Sequence, residues 1–185
     1  MNKKEQFVKD FTSILIKRKI VPDKEAESLQ KNFEEASQER FDEFLLDEGL
    51  VDKEDILKGL QEYYQVPAID LVGYFFQTFL LRKFPKGVMI RNLFIPLEAD
   101  QNIMLIATAD PDGPELLSKI GQFVSYDIQF RVTIAQDIIN SIQEFYDKSD
   151  IEMGEEWAAY DDYGDLNVYE IGADDEYSSP GEEED

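Results

Sequence analysis

The sequence predicts an α+β protein in which a helical subdomain precedes a small sheet. Residues 1–65 carry apolar side chains at intervals of three and four, as amphipathic helices do. Residues 66–148 contain three short strand-like runs separated by turn residues. Residues 149–185 lose both patterns and become strongly acidic. We therefore expect a helical subdomain at 1–65, an α/β subdomain at 66–148 and an acidic, largely disordered tail at 149–185.

The first subdomain is predicted to contain about four helices, arranged as two helix–turn–helix units. Pro22 opens the second helix, and Ser37 is the predicted N-cap of the third. Gly49 stands where a left-handed residue ends a helix, and Asp52 follows as the cap of the fourth. A weak repeat supports the two units, because five apolar residues recur thirty residues later: Phe11, Leu15, Ile16, Ile20 and Val21 as Phe41, Leu45, Leu46, Leu50 and Val51. The predicted buried stripe of the fourth helix is Ile56, Leu57, Leu60, Tyr63 and Tyr64.

The second subdomain is predicted to have about three strands packed by helices. The strands are Leu93–Glu98, Asn102–Thr108 and Asp127–Thr133, and Pro96 places the first of them at a sheet edge or a bulge. The other predicted elements are an extended link at Val66–Leu71 and helices at Tyr74–Phe84, Glu115–Phe123 and Ile134–Lys148. We expect the aromatic residues at its start to form core between the two subdomains: Tyr63, Tyr64, Tyr74, Phe75, Phe76 and Phe79.

The charge and composition of the chain argue against several classes of function. The formal charge is −23, of which residues 151–185 contribute 14 acidic residues and no Lys or Arg. Such a charge argues against binding to nucleic acid or to an anionic membrane surface. The chain has no Cys and no His, so it lacks thiolate metal sites, cysteine nucleophiles and the usual general base, and we expect no metal site and no enzymatic activity. With no apolar run long enough to span a bilayer and no apolar signal segment, a cytoplasmic location is expected.

The tail carries large apolar side chains among its acids, with Trp157, Tyr160 and Tyr163 the most prominent. Plain disorder is one interpretation of this segment. The other is that these three residues dock on the body of the protein or on a partner, and a basic partner would suit the charge.

The ordered set of motifs between Arg40 and Tyr146 resembles the N-terminal domain of the ATPases of type II secretion and type IV pilus assembly. The matching residues are Arg40, Gly49, Pro67, Asp70 and Leu71, then Ile95-Pro96-Leu97, the segment Ile106–Pro111 and the helix Asp137–Tyr146. The phosphate-binding loop of an ATPase domain, G-x-x-x-x-G-K-[ST], does not occur in the sequence.

The resemblance implies a bacterial protein-interaction or regulatory module. In this family the domain docks on a cytoplasmic domain of an assembly-platform protein, so the expected partner is a secretion or pilus assembly protein or ATPase. The expected location is then cytoplasmic, peripheral to the inner membrane through that partner.

The resemblance also implies an alternative, a degenerate cyclic di-GMP sensor. The pilus branch of the family binds this dinucleotide through an Arg and the backbone near a Gly, which makes Arg40 and Gly49 the candidate ligand residues. The family's Gly after the Arg is Asp42 here, and its closing Gln is Tyr63. We therefore expect Arg40 to pair with Glu39 or Glu43 and the chain to hold no cofactor.

Overall fold

A computed structural model describes residues 3–153 of the chain, with side chains described for 3–148. Within this range it has eight α-helices and one three-stranded sheet, so the α+β class is confirmed. The docking candidates Trp157, Tyr160 and Tyr163, and nearly all of the predicted tail, lie outside the described residues.

The N-terminal half is helical. It contains α1 (Lys3–Lys17), a short turn of 3₁₀-helix (Asp23–Glu25), α2 (Ala26–Glu35), α3 (Phe41–Asp47) and α4 (Lys53–Tyr64). Their apolar faces meet in one core, whose members include Phe11, Leu15, Phe33, Phe41, Leu45, Ile56 and Leu60. The apolar spacing predicted these four helices because each has one face to bury.

The caps of α3 and α4 are only partly as predicted. Ser37 is not the N-cap of α3: the helix begins after Arg40, which has extended backbone and makes no side-chain capping bond. Gly49 does adopt the left-handed conformation, with φ of +64°. Asp52 is the N-cap of α4, but it accepts the first helical bonds, from the N–H groups of Asp55 and Ile56, through its backbone carbonyl rather than its side chain.

The sheet has the order β1-β2-β3, with β1 at Phe94–Asp100, β2 at Ile103–Thr108 and β3 at Asp127–Val132. β1 and β2 form an antiparallel hairpin whose turn includes Gln101, a non-glycine residue with φ of +49°. β2 and β3 are parallel, joined across a helix. The prediction for Pro96 is confirmed, because β1 is an edge strand and its register shifts between Pro96 and Glu98.

Four further helices cover the sheet region: α5 (Thr78–Leu81), α6 (Lys86–Arg91), α7 (Leu116–Gly121) and α8 (Ala135–Met153). The predicted helix Tyr74–Phe84 is wrong over most of its length, since only one turn forms. Helix α6 was not predicted, because Pro85 indicated only the end of a helix and not that it serves as the N-cap of the next one. α8 continues five residues past the predicted end at Lys148.

The two halves meet along β3. The extended link runs parallel to it, with the N–H of Ile69 donating to the carbonyl of Val132 (2.9 Å) and the N–H of Val132 donating to the carbonyl of Pro67 (3.0 Å). Val132 and Ile134 are buried in the helical core, although the strand and helix they border belong to the sheet half. The sheet half and the helical half are therefore joined by backbone hydrogen bonds along β3 and by core residues that they have in common.

Candidate functional site

Arg40 lies where the helical half faces the sheet half. As the N-cap of α3 its backbone is extended, and its side chain crosses to the loop after β2. Nη2 donates to the carbonyl oxygen of Ala109 (3.1 Å) and to Oδ2 of Asp42 (3.2 Å). Nε lies 3.2 Å from Oδ1 of the same carboxylate, in an ion pair without hydrogen-bond geometry. The predicted partners Glu39 and Glu43 are therefore wrong, and the carboxylate two residues along the chain pairs with Arg40 instead.

The ion pair between Arg40 and Asp42 is largely buried. The Asp42 side chain is wholly buried, and that of Arg40 is 22% exposed. Burial lowers the pKa of Arg40, but the nearby groups, Asp42 foremost with Tyr64 and Glu43, together outweigh it, so that the pKa is raised above its usual value. The guanidinium stays charged, and its charge is neutralised within the fold.

A pocket of about 310 Å³ opens beside this pair. Its walls combine cationic, acidic and aromatic side chains from α1, α3, α4 and the loop after β2: Lys3, Lys4, Phe7, Glu39, Arg40, Phe41, Asp42, Tyr63, Tyr64 and Asp110. Nζ of Lys3 donates to Oδ2 of Asp110 at 2.9 Å, so a second cation of the pocket also has an internal carboxylate partner. Both side chains of that pair are substantially exposed, so the pair adds little stability.

Three aromatic side chains, Phe7, Tyr63 and Tyr64, form one wall of the pocket and contact one another through their rings. Phe7 and Tyr63 pack edge to face at 4.8 Å between centroids, as do Tyr63 and Tyr64. Burial raises the pKa of Tyr64, and the nearby Asp110 carboxylate adds to the effect. Burial also raises the pKa of Tyr63, and the Asp10 carboxylate adds to the effect. Both phenols stay protonated at neutral pH, so they can pack on a flat ligand and donate hydrogen bonds but cannot act as bases.

A second cavity, of about 360 Å³, lies on the other side of Arg40, between α6 and the turn that leads to α7. Arg91 and Asn92 line it, and Arg40 and Asp110 border both cavities. Gly49 lines neither of these two cavities: it ends α3 in open surroundings, with no atom within 4 Å of a Cβ built there. The structure therefore does not bring the two predicted ligand residues, Arg40 and Gly49, together.

Sequence reasoning missed several members of this pocket. The basic pair Lys3-Lys4 opens α1 and was not connected with Arg40, because only the fold brings residues so distant in sequence to one surface. Asp110 starts a turn, in which the N–H of Gly113 donates to its carbonyl, and its carboxylate faces Lys3.

The aromatic group predicted to be core is divided. Tyr63 and Tyr64 pack against the helical core, while Tyr74 and Phe76 pack against the sheet core. Phe75 and Phe79 are exposed, and for these two residues the prediction is wrong.

Comparison with known proteins gives a match to one family model. Residues 64–152 match the MshEN domain. This part of the chain is therefore similar to a MshEN domain. The MshEN match begins at the end of α4 and ends within α8, so it covers the sheet half, whereas the pocket lies mostly on helices that precede it.

Solved structures extend the likeness to the helical half. The structure of MshE with cyclic di-GMP superposes with a TM-score of 0.60 at 17% identity, over 74% of this chain and 98% of that one. The N-terminal domain of XpsE gives a TM-score of 0.52 at 15% identity, over 77% and 96%. No match was found among curated proteins. The predicted kinship with the N-terminal domains of secretion and pilus ATPases is confirmed.

Two further observations concern only residues 3–153. None of their helices is long and apolar enough to cross a membrane. Their acidic side chains form no cluster of three or more that could hold a metal ion.

Proposed function

We propose that this chain is a non-enzymatic docking module of a secretion or pilus assembly machine, which binds a cytoplasmic domain of an assembly-platform protein. Its fold, shared with MshE and the XpsE N-terminal domain, supports the kinship from which this role is inferred. The expected location is cytoplasmic, at the inner membrane through that partner.

The state of Arg40 is the observation that carries the proposal. The residue that the family resemblance assigns to a dinucleotide is paired with a buried carboxylate and bonded to the carbonyl of Ala109 in the opposite half of the protein. A phosphate that drew the guanidinium away from both contacts would leave Asp42 buried without a countercharge, which is costly. Because the pair makes its contacts within the fold, it favours the protein surface over a nucleotide as the functional part.

The pocket also offers no catalytic arrangement. Its tyrosines are held protonated, its one arginine is neutralised, and its remaining acids and lysines include no nucleophile with an adjacent base. The sequence has no phosphate-binding loop of the ATPase type. These features favour binding over chemistry.

Calorimetric titration of the chain with the cytoplasmic domain of the assembly-platform protein tests the proposal. Saturable binding, unchanged by added cyclic di-GMP, is the expected result. Absence of binding, together with nucleotide hydrolysis or nucleotide binding by the chain, would contradict it.

The same titration tests the tail candidates. The full chain carrying Trp157→Ser, Tyr160→Ser and Tyr163→Ser should lose affinity for the partner if these residues dock, whereas the matched variant Tyr177→Ser should not. Equal affinities for all three proteins would exclude the tail from the interface.

Cyclic di-GMP binding is the second candidate function, and the composition of the pocket favours it. Three cations (Lys3, Lys4 and Arg40) and the aromatic wall of Phe7, Tyr63 and Tyr64 provide the groups that phosphates and guanine rings require. MshE was solved with this ligand.

The variant Asp42→Gly separates the two candidates, because it frees Arg40 and restores a glycine where the family has one. If the module has lost its ligand through Asp42, calorimetry with cyclic di-GMP shows no heat for the native chain and measurable heat for Asp42→Gly. Saturable binding by the native chain, abolished in Arg40→Ala, would establish the sensor function instead.

A further inference from the structure

Three exposed apolar side chains lie close to one another in sequence, two of them between the extended link and α5 and the third on α5 itself. Val72 is 74% exposed, Phe75 94% and Phe79 60%, while the intervening Tyr74 and Phe76 pack against the sheet core. We call Val72, Phe75 and Phe79 the apolar patch. Apolar side chains grouped on a surface mark interaction sites more often than single exposed ones do.

The sequence around the apolar patch is locally basic, in a chain that is acidic as a whole. From Leu71 to Leu97 it has four basic residues and no acidic one, against a net charge of −23 for the whole chain. The two acids that border this stretch already have partners within it, since Asp70 accepts from the N–H of Val72 and Glu98 from the hydroxyl of Tyr74. Arg82 and Lys83 follow Phe79 by three and four residues across α5 and its C-terminal turn, and both are exposed. Lys86 begins α6. An acidic occupant with aromatic side chains would match this surface.

The chain itself returns to this surface before it enters its acidic segment. On α8, the ring of Tyr146 lies 5.2 Å from Nζ of Lys86, and its hydroxyl donates to the carbonyl of Phe84 at 3.4 Å. Seven residues later, at Met153, the described part of the chain ends, about 10 Å further along the helix.

The segment that follows has the complementary chemistry. Residues 154–185 contain 13 acidic residues and no basic one, with Trp157, Tyr160 and Tyr163 near the start. We propose that residues 154–171 dock on the apolar patch of the same chain, with their aromatic side chains against Phe75 and Phe79 and their carboxylates facing Arg82, Lys83 and Lys86. This inference does not depend on the proposed function.

The lengths permit this contact. Residues 79–86 span at most about 25 Å even when fully extended, whereas the eighteen residues of 154–171 reach about 60 Å. Because the segment is tethered, its effective concentration at the patch is in the millimolar range, so a weak contact is sufficient to populate the docked state. The ionic part of the contact should weaken as salt is added.

Trp157 is the only tryptophan in the chain, so its fluorescence reports on the segment directly. In the full chain at low salt we expect emission typical of a partly buried indole and slow quenching by acrylamide. The variant Phe75→Ser, Phe79→Ser should shift the emission to longer wavelength and speed quenching, and Lys83→Glu should do the same to a smaller degree. All three side chains are exposed, so the fold should tolerate these changes.

Leu50→Ser is the control, because Leu50 is also an exposed apolar residue, at 46%, but lies in the helical half. It should leave the emission unchanged. Emission of a fully solvated indole in the native chain, or equal emission in the native and double-variant chains, would overturn the proposal. Emission that depends on protein concentration, with dimers in sedimentation, would also overturn it, since the occupant would then belong to a second copy.

Discussion

At the scale of single residues, the main finding is that Arg40 forms an ion pair with Asp42 within the fold. The aspartate at position 42 is wholly buried two residues after Arg40, and it draws the guanidinium into the fold. The resemblance to the secretion and pilus ATPases placed Asp42 where that family has a glycine, and the expectation drawn from it was that Arg40 pairs with Glu39 or Glu43. This expectation missed the actual partner, because Glu39 and Glu43 are also close in sequence, and only the start of α3 at residue 41 decides which carboxylate faces Arg40.

Glu43 provides a test of this electrostatic arrangement. Burial raises the pKa of Glu43 above 4.5, and the Asp42 carboxylate adds to the effect. A raised pKa means that the folded state holds the proton more tightly than the unfolded state, so stability from this group is present below about pH 4 and is lost as the pH rises through the folded pKa.

The variant Glu43→Gln removes the charge that the folded state disfavours. Its free energy of unfolding at pH 7 should therefore exceed that of the native chain, by less than about 1 kcal/mol because the site is partly solvated. Urea unfolding at pH 7 and pH 4 measures this, and the difference should shrink at pH 4. A variant less stable than the native chain at pH 7 would show that the ionised carboxylate is favourable.

At the scale of elements, the sequence predicted the regular elements well and the irregular ones poorly. The helices α1 to α4, the three strands and α8 have clear apolar periods, and the existence of each was predicted. The bounds of the strands were predicted to within two residues, and those of α8 to within five. The segment 72–91 misled the prediction because Phe75, Phe76, Phe79, Leu80 and Leu81 suggest one long apolar helix. Two of these five side chains face solvent, so hydrophobicity alone could not locate the short helices α5 and α6.

The packing of α1 on α4 gives a prediction at this scale. Gly59 on α4 faces Phe11, and a Cβ built there would lie 2.9 Å from two ring atoms of that side chain. Phe11 is wholly buried and stacks on Phe7, so its ring has little room to move. Gly59→Ala should therefore destabilise the protein by about 1–2 kcal/mol, because overpacking outweighs the gain in helix propensity.

Gly87→Ala on α6 is the matched control. A Cβ at Gly87 would meet only a guanidinium nitrogen of Arg91, at 4.0 Å. Thermal unfolding should show this variant to be as stable as the native chain or more stable, by up to about 1 kcal/mol. If both alanine variants gave the same change, the close α1–α4 contact would not be the cause.

At the scale of the whole molecule, the two halves are tied together by polar contacts that the sequence could not reveal. Nζ of Lys53 lies 2.7 Å from carboxylate oxygens of both Asp70 and Asp137, which links α4 to the extended link and to α8. Arg40 links α3 to the loop after β2. Sequence patterns predicted the two halves but not these contacts, because the partners are 17 to 84 residues apart in the chain.

The central claim is that Arg40 holds the fold together and is not free for a ligand, and urea unfolding of four proteins tests it most directly. These are the native chain, Arg40→Met, Asp42→Leu and the double variant. We expect Arg40→Met to lose about 3–5 kcal/mol because Asp42 is then buried without a countercharge, and the double variant to recover most of that loss. An Arg40→Met protein within about 0.5 kcal/mol of the native chain would contradict the claim and leave the guanidinium free for a ligand.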